Sequence, residues 1–244
     1  MKSRRLILVV FLLVLGVGLT PSAHAQFGDL LKDFKKTLGL DGGLSTDKII
    51  SGLKEALEIG TENAVGIVSQ LDGYYKNPKI RIPLPGAVQK VEKVLRIVGY
   101  GAQVDAFMLS MNRAAEQAAP KAKALFWDSI KQMSFADARK ILDGGDNEAT
   151  LYFKEKTSDR LHEIFSPVIH KTMSQVGVTS RYQELEKKVS NIPFTESLSF
   201  DLDDYVTNKS LDGLFLMLAE EEKKIRQNPA ARVTSLLKEV FGGK

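Results

Sequence analysis

Two histidines are the obvious candidates in this sequence for acid–base or metal chemistry. His162 and His170 lie eight residues apart in a segment that is predicted to be helical. A zinc-binding H-E-x-x-H motif places its histidines four residues apart, but the required position holds Ser166, and only Glu163 fits the rest of the pattern. We therefore expect these histidines to be ordinary surface or core residues, without a bound metal ion.

Two acidic clusters offer the oxygen ligands that Ca²⁺ prefers. They comprise Asp143, Asp146, Asn147 and Glu148, and Asp201, Asp203 and Asp204. Neither cluster has the D-x-D-x-D-G-x₅-E spacing that wraps a calcium ion. The end of one helix and the cap of the next explain both clusters, and Asp146 is predicted to cap the helix that follows it. No metal site is therefore predicted.

A third polar cluster, Asn112, Arg113 and Glu116, lies in a predicted long helix that contains Pro120 and many alanines. Asn112 and Glu116 share one helix face, and Arg113 is close enough to pair with Glu116. A helix that is bent by proline and lined with small side chains can leave a cavity, in which polar groups orient a ligand. We predict these three residues as a binding site. The alternative is a solvated ion pair beside a helix contact, which contributes little.

The sequence lacks the motifs of several common enzyme classes. It has no G-x-S-x-G motif for a nucleophilic serine, no Walker A motif and no glycine pattern for dinucleotide binding. It also has no cysteine, so the apolar core must stabilise the fold without disulfides. No catalytic residue and no cofactor is predicted.

The first 25 residues have the three parts of a secretory signal peptide. A basic start precedes an apolar run over residues 6–19, and Ala23 and Ala25 form an A-x-A cleavage pattern. We predict cleavage between Ala25 and Gln26 and a periplasmic or secreted protein without a transmembrane anchor afterwards. A retained anchor is the alternative, but a membrane span needs about 20 apolar residues. Because no cysteine follows the predicted cut, we do not expect a lipoprotein.

The charge balance argues against a nucleic acid as partner. The chain has 34 Lys and Arg against 30 Asp and Glu, a formal net charge of +4. Three positive charges, Lys2, Arg4 and Arg5, belong to the predicted leader, and its removal leaves 31 basic against 30 acidic residues. There is also no dense basic stripe with interleaved aromatic residues, so we exclude nucleic-acid binding.

Apolar residues recur every three to four positions through most of the remaining chain, which predicts amphipathic α-helices. We expect an all-α fold: an irregular bundle of about eight helices with a short extended proline-rich arm. The predicted organisation is a signal peptide at 1–25, a short N-terminal helix with a Gly-rich loop at 26–45, and a single helical domain at 46–244.

Prolines and caps predict where individual helices bend or begin. Pro120 predicts a bend near Ala119, and Pro167 predicts an interruption of a second helix. Ser134 and Asp137 have the spacing of a capping box, which predicts the start of a short helix.

The predicted arm covers residues 74–85, YYKNPKIRIPLP, where three prolines exclude a helix. Its apolar residues Ile80, Ile82 and Leu84 alternate with Lys79, Arg81 and Pro83. Such alternation allows one side of an extended segment to lie against the core. We predict either a docked arm or an edge strand, and residues 199–202 are the only plausible strand partner.

Several of these stretches together resemble a known bacterial family. They are GLKEALEIGTENAV at 52–65, NPKIRIPLP at 77–85, the run 110–157, and DGLFLMLAEEEKKIRQNPAARVTSLLKEVFG at 212–242. The sequence resembles the family termed domain of unknown function 4197 over nearly all of the chain after the leader. The resemblance implies an exported, largely helical protein, and it transfers no activity, substrate or functional residue.

The function hypothesis is a non-catalytic binding or interaction protein of the bacterial cell envelope. Long apolar helix faces and methionines, which repack easily around an apolar guest, favour it. The partner would be an envelope protein or an apolar small molecule. Two alternatives remain open: a hydrolase that uses carboxylates, which needs neither histidine nor cysteine, and a carrier of an apolar ligand.

Overall fold

The part of the chain that the structure describes contains seven α-helices and two short 3₁₀ turns, joined by turns and loops. This computed structural model describes residues 46–175, 201–232, 234–236 and 238. The helices are α1 (Thr46–Ser69), α2 (Gly86–Ile97), α3 (Gly101–Ala118), α4 (Ala122–Gln132), α5 (Phe135–Asp143), α6 (Glu148–Gln175) and α7 (Leu202–Gln227). No strand occurs among these residues, and the predicted all-α fold is confirmed.

Some predicted features lie outside the described residues. They are the signal peptide, the short N-terminal helix with its Gly-rich loop, and the first half of the proposed strand partner at 199–202. The described end of that partner, Leu202, begins helix α7, so it forms no strand. The boundaries predicted for the helical domain stay a prediction.

Helix α7 lies at the centre of the bundle, in contact with α1, α3 and α6. Its apolar run over residues 214–219 is largely buried, but the side chain of Leu216 is 41% exposed. Three buried rings join α4, α6 and α7: the centroid of Phe126 lies 5.1 Å from that of Phe153 and 6.2 Å from that of Phe215. Tilted and edge-on ring pairs of this kind add to the stabilisation from burial. None of the described helices is both long and apolar enough to cross a membrane.

The bend predicted at Pro120 is a 3₁₀ turn, Ala119–Lys121, that separates α3 from α4. Proline has no N–H to continue the α-helical hydrogen bonds, so the helix tightens and restarts there. The alanines around the turn are fully buried, namely Ala114, Ala115, Ala118, Ala119 and Ala122. Their small side chains allow α1 and α6 to approach this turn closely.

The interruption predicted at Pro167 is wrong, because α6 is continuous from Glu148 to Gln175. Pro167 lies on the exposed side of α6. The carbonyl group that loses its N–H partner, that of Glu163, is on the same exposed side, where water can replace the missing bond.

The predicted caps have different outcomes. The capping box of Ser134 and Asp137 is confirmed at the start of α5, and Asp201 caps α7 by accepting the N–H of Asp204 at 2.9 Å. The cap predicted at Asp146 is wrong. Its carboxylate accepts a hydrogen bond from the side chain of Gln227 at 2.7 Å, while a glutamate of α7 binds the first turn of α6.

The arm connects α1 to α2 and is extended only at its end. Residues 78–80 form a turn, because the carbonyl of Asn77 accepts the N–H groups of Ile80 and Arg81. Residues 81–85 have no regular secondary structure. Ile80, Ile82 and Leu84 are 5%, 1% and 2% exposed, which confirms the predicted alternation, and the segment is a docked arm.

Candidate functional site

Asn112 of α3 holds the arm by pairing with the main chain of Ile82. Its side-chain oxygen accepts the N–H of Ile82 at 2.8 Å, and its amide group donates to the carbonyl of Ile82 at 3.0 Å. The second amide hydrogen is donated to the carbonyl of Met108 at 2.8 Å. Asn112 is completely buried. The side chain therefore takes the place of a neighbouring strand for this one residue of the arm.

Glu116, one turn further along α3, binds the start of the arm. Its Oε1 accepts the N–H groups of Tyr74 at 3.1 Å and Tyr75 at 3.3 Å. Its Oε2 accepts a hydrogen bond at 2.5 Å from Arg113, which also donates to Asp72 at 2.5 Å. Glu116 is only 4% exposed, and Arg113 compensates its buried charge.

The three residues predicted as a binding site thus come together, but around the chain's own arm. Asn112 and Glu116 share one face of α3, as predicted, and Arg113 pairs with Glu116. Their polar atoms are occupied by main-chain groups of the arm and by Asp72. Binding of a separate ligand by these residues stays a prediction, and the structure gives them a clear role in positioning the arm.

Tyr74 fixes the arm to α7. Its ring is fully buried, and its hydroxyl donates to the carbonyl of Ser210 at 2.6 Å. Gly213, one turn later on α7, faces the same ring. Because Gly213 has no side chain, the Tyr74 ring can pack directly against α7.

Replacing Gly213 by alanine is expected to lower the free energy of unfolding by about 1–3 kcal/mol. The added Cβ would lie 2.6 Å from Cε1 of Tyr74 and 3.1 Å from Cβ of Ile80. Urea denaturation followed by circular dichroism measures the change. Gly66→Ala in α1 is the matched control: a Cβ there meets nothing within 4 Å, so helix propensity predicts a gain of about 0.5–1 kcal/mol. Equal effects at the two glycines would contradict the close packing of the arm.

Because the Tyr74 hydroxyl is buried, we expect the free energy of unfolding to fall at alkaline pH. Burial raises the pKa of Tyr74 far above its ordinary value of 10.0, and the charge of Glu116 raises it further. Above about pH 10 the unfolded chain loses this proton while the folded state keeps it, so the free energy of unfolding falls as pH rises. Below that pH the contribution is constant.

Urea denaturation at pH 8 to 11.5 tests this expectation, with a decline of up to about 1.4 kcal/mol per pH unit from Tyr74. Burial also raises the pKa of Tyr152 and Tyr205, so these residues add a smaller slope of the same sign. Tyr74→Phe is expected to show a clearly shallower decline. An identical slope in the wild type and in this variant would rule out a buried, protonated Tyr74.

Arg81 projects from the outer side of the arm. Its guanidinium lies 4.6 Å from the centroid of the Tyr75 ring, and its Nη2 donates to the sulfur of Met108 at 3.0 Å. Stacking on an aromatic ring orients the guanidinium without neutralising its charge. Because Glu116 fixes the main chain of Tyr75, the buried cluster of α3 indirectly sets the position of Arg81.

Two surface grooves run along the arm, one on each side. The larger groove, about 440 Å³, lies between the arm and α2 and is lined by Pro78, Leu84, Gln89, Glu92 and Met108. The smaller groove, about 220 Å³, lies between the arm and α7 and is lined by Lys79, Ile80, Lys209, Asp212, Gly213 and Leu216. Arg81 and Pro83 line both grooves. The arm is therefore a ridge between two grooves, and Arg81 is on the ridge.

A pocket inside the bundle is too small for a substrate. Its volume is about 20 Å³, room for about one water molecule, and its walls are mostly apolar side chains of α1, α6 and α7. Glu222 and Arg226 are its charged residues. Both oxygens of Glu222 accept hydrogen bonds, from the N–H groups of Ala149 and Thr150 and from Arg226.

The two histidines pair with consecutive aspartates at the start of α7. Nε2 of His162 lies 2.9 Å from a carboxylate oxygen of Asp204, and Nδ1 of His170 lies 2.5 Å from one of Asp203. All four side chains are at least partly exposed, and the pairs link α6 to α7. Among the residues that the structure describes, no three His, Cys, Asp or Glu side chains come together as a metal site.

Sequence reasoning missed Arg81 and the grooves. The alternation within the arm did place Arg81 on its outer side, next to Lys79 and Pro83. What makes Arg81 distinctive is the spatial approach of α2 and α7 to the two sides of the arm, and no local pattern predicts that approach. Leu216 carries a weak signal, because it is the exposed residue of an otherwise buried apolar run.

The fold and these grooves define a helical protein with a clamped arm, whose candidate site lies on the surface and not in the interior. The chain belongs to the family described as protein of unknown function, DUF4197, which matches residues 43–242. This match confirms the resemblance inferred from the sequence. No curated protein and no solved structure matches the chain.

Proposed function

We propose that this protein is a non-catalytic binding protein of the bacterial cell envelope, and that its ligand lies along the arm in the two grooves. The observation that carries the proposal is the shared wall: Arg81 and Pro83 line both grooves. A ligand that crosses the ridge therefore contacts the same two residues from either side. The combined space suits a small molecule or a short peptide segment.

The larger groove offers both apolar and polar contacts. Prolines, Leu84 and Met108 provide apolar contact there, and Arg81, Gln89 and Glu92 provide polar groups. Polar groups placed among apolar walls orient a ligand.

The rigidity of the arm supports binding without chemistry. The main chain of Ile82 is bound by Asn112, the carbonyl of Pro83 by the hydroxyl of Tyr205, and the carbonyl of Leu84 by Gln89. A surface that is already ordered loses little conformational entropy when a ligand binds to it.

The two alternatives from the sequence have less support. A hydrolase needs two facing carboxylates that can take and give a proton, but the oxygens of Glu116 and Glu222 are occupied by hydrogen bonds in separate parts of the bundle. A carrier of an apolar ligand needs a large interior cavity, and the internal pocket of about 20 Å³ is far smaller than an acyl chain.

The location in the envelope is the part of the proposal that depends on the leader. Its support is the basic start, the apolar run at 6–19 and the A-x-A pattern that ends at Ala25. Mass spectrometry of the protein from a periplasmic extract tests this location. We expect the mass of a chain that begins at Gln26. A full-length chain recovered with the cytoplasmic fraction would contradict this part.

Native mass spectrometry of the same purified protein tests the binding role. We expect the wild type to retain a ligand or partner, and groove-filling substitutions, Pro78→Trp and Leu216→Trp, to reduce its occupancy. Leu151→Trp is the matched control, because Leu151 is a similarly exposed leucine, 49% against 41% for Leu216, that lines neither groove. Recovery of the wild type without any bound species, or equal occupancy in all variants, would count against the proposal.

A further inference from the structure

We propose that Arg81 binds a carboxylate of the ligand, and that the apolar group next to this carboxylate lies in the larger groove. This inference rests on the proposed function, because it assumes that the grooves are the binding site. It adds the chemical class of the ligand: a molecule with a carboxylate and an adjoining apolar part.

The hydrogen-bonding state of Arg81 is the first argument. A guanidinium has five N–H donors in a fixed planar fork, and the fork matches the two oxygens of a carboxylate. Among the residues that the structure describes, Arg81 has one hydrogen bond, from Nη2 to the sulfur of Met108 at 3.0 Å, and thioether sulfur is a weak acceptor. The exposed guanidinium therefore has donors available to an anion.

The orientation of Arg81 is the second argument. The Tyr75 ring supports one face of the guanidinium at 4.6 Å, and Tyr75 is itself held by Glu116. An arginine that is fixed by stacking loses less side-chain entropy when it forms a bidentate pair than a freely rotating one. Arg81 is thus prepared for an anion in a way that an ordinary surface arginine is not.

The charges around the grooves are the third argument. Lys79 pairs with Glu220, and Lys209 pairs with Asp212 at 3.3 Å. By contrast, no carboxylate among the described residues forms an ion pair with Arg81. Its positive charge is the one at the ridge that lacks a bonded counter-charge in the part of the chain that the structure describes.

The acidic residue of the larger groove does not compete for Arg81. Glu92 pairs with Arg96 at 2.9 Å, and Arg96 also pairs with Asp105 at 2.7 Å. The hydrogen bond from Arg96 is the main reason that the pKa of Asp105 is lowered, and the charge of Arg81 is the smallest of its causes. The bonded partner of both acids is Arg96.

A carboxylate fits this setting better than a phosphate does. A phosphate monoester carries nearly two negative charges and is usually bound by several cations or main-chain N–H groups. Here one guanidinium has no carboxylate partner among the described residues, and Lys79 and Lys209 are paired with their own acids. The walls beside it, Pro78, Pro83 and Met108, suit an apolar substituent.

Isothermal titration calorimetry with matched probes tests the inference. The probes are octanoate and the peptide acetyl-Ala-Leu-Leu with a free C-terminal carboxylate, each compared with its uncharged amide, together with octyl phosphate. The two carboxylates distinguish a fatty acid from a polypeptide end as the source of the group. We expect at least one of them to bind tenfold or more tightly than its amide and more tightly than octyl phosphate.

Variants of Arg81 assign this preference to one residue. Arg81→Gln is expected to weaken carboxylate binding at least tenfold and leave amide binding unchanged, whereas Arg81→Lys, which keeps the charge but not the fork, loses less. Arg139→Gln is the matched control, since Arg139 is an exposed arginine on α5 that lines neither groove. Equal binding of acid and amide, tighter binding of octyl phosphate, or an acid preference that survives Arg81→Gln would overturn the inference.

The outcomes separate this inference from the proposed function. If Leu216→Trp or Pro78→Trp blocks binding of the probes, the grooves are a binding site. If the acids then bind the wild type no more tightly than their amides, the role proposed for Arg81 is wrong. If no probe binds in the grooves, the inference about Arg81 fails, and the proposed function is decided by the species that the wild type retains in native mass spectrometry. Because Arg81 is exposed, its variants are expected to unfold at the same temperature as the wild type. An unchanged unfolding temperature would show that a variant that binds more weakly is still folded.

Discussion

Glu222→Ala is expected to lower the free energy of unfolding by about 3–5 kcal/mol, because it breaks a buried ion pair from one side. The carboxylate of Glu222 is 7% exposed and accepts the N–H groups of Ala149 and Thr150, each at 2.9 Å. It also accepts the Thr150 hydroxyl at 2.9 Å and two hydrogen bonds from Arg226 at 3.0 and 2.8 Å.

Two costs explain this magnitude. The first turn of α6 loses the acceptor for its second and third N–H groups, which is the cost of removing a helix cap, and it loses a negative charge at the positive end of the helix dipole. In addition, the charge of Arg226, a side chain only 13% exposed, loses its ionic partner. Breaking a buried pair from one side leaves the other charge uncompensated, and this cost dominates.

Urea denaturation followed by circular dichroism measures the effect. Glu163→Ala is the matched control in α6, since Glu163 is 61% exposed and its pair with Arg160 is expected to contribute less than about 1 kcal/mol. Glu222→Gln, which keeps an acceptor but not the charge, is expected to lie between the two. A loss below 1 kcal/mol for Glu222→Ala would show that Glu222 does not anchor α6.

Asn112→Ala is expected to lower the free energy of unfolding by about 2–4 kcal/mol. The substitution leaves the N–H and the carbonyl of Ile82 without partners in a region that water does not reach, since Ile82 is 1% exposed. Each buried polar group that loses its partner costs about 1–3 kcal/mol.

Hydrogen exchange distinguishes a local from a global effect of this substitution. We expect the amide of Ile82 to exchange much faster in Asn112→Ala, with a smaller change in the amides at the centre of α7. Asn208→Ala is the matched control, because Asn208 is exposed and its amide group donates to the exposed side chain of Asp204 at 2.9 Å. Unchanged protection of Ile82 would mean that Asn112 does not hold the arm.

The sequence predicted the helices well because most of their apolar residues follow the helical period, although Val94, Ile97 and Leu216 are exposed. The same reasoning placed Ile80, Ile82 and Leu84 against the core and found the capping box at Ser134, since each depends on residues within a few positions of one another. Pro167 shows the limit of this reasoning, because the cost of a proline depends on which side of the helix faces water.

The polar contacts that hold the fold together are the part that the sequence could not predict. Asn112 and Glu116 were chosen as candidates because they share a helix face, but their partners lie 30 to 42 residues earlier in the chain. Glu222 binds residues 72 and 73 positions away, and it replaces the local cap predicted at Asp146. Such pairings follow from the packing of whole helices, so the spacing of nearby residues in the sequence does not predict them.

The way the arm is held affects whether copies of this protein associate with one another. The stretch IRIPL, with every second residue apolar, has the alternation of an edge strand, whose open main-chain groups can pair with another copy. Here side chains of the same molecule bind the main chain of Ile82 and the carbonyls of Pro83 and Leu84, and Pro83 has no N–H to donate, so little of the stretch is open to a second copy. Loss of the clamp would therefore expose a self-associating segment, and turbidity at high protein concentration would report it.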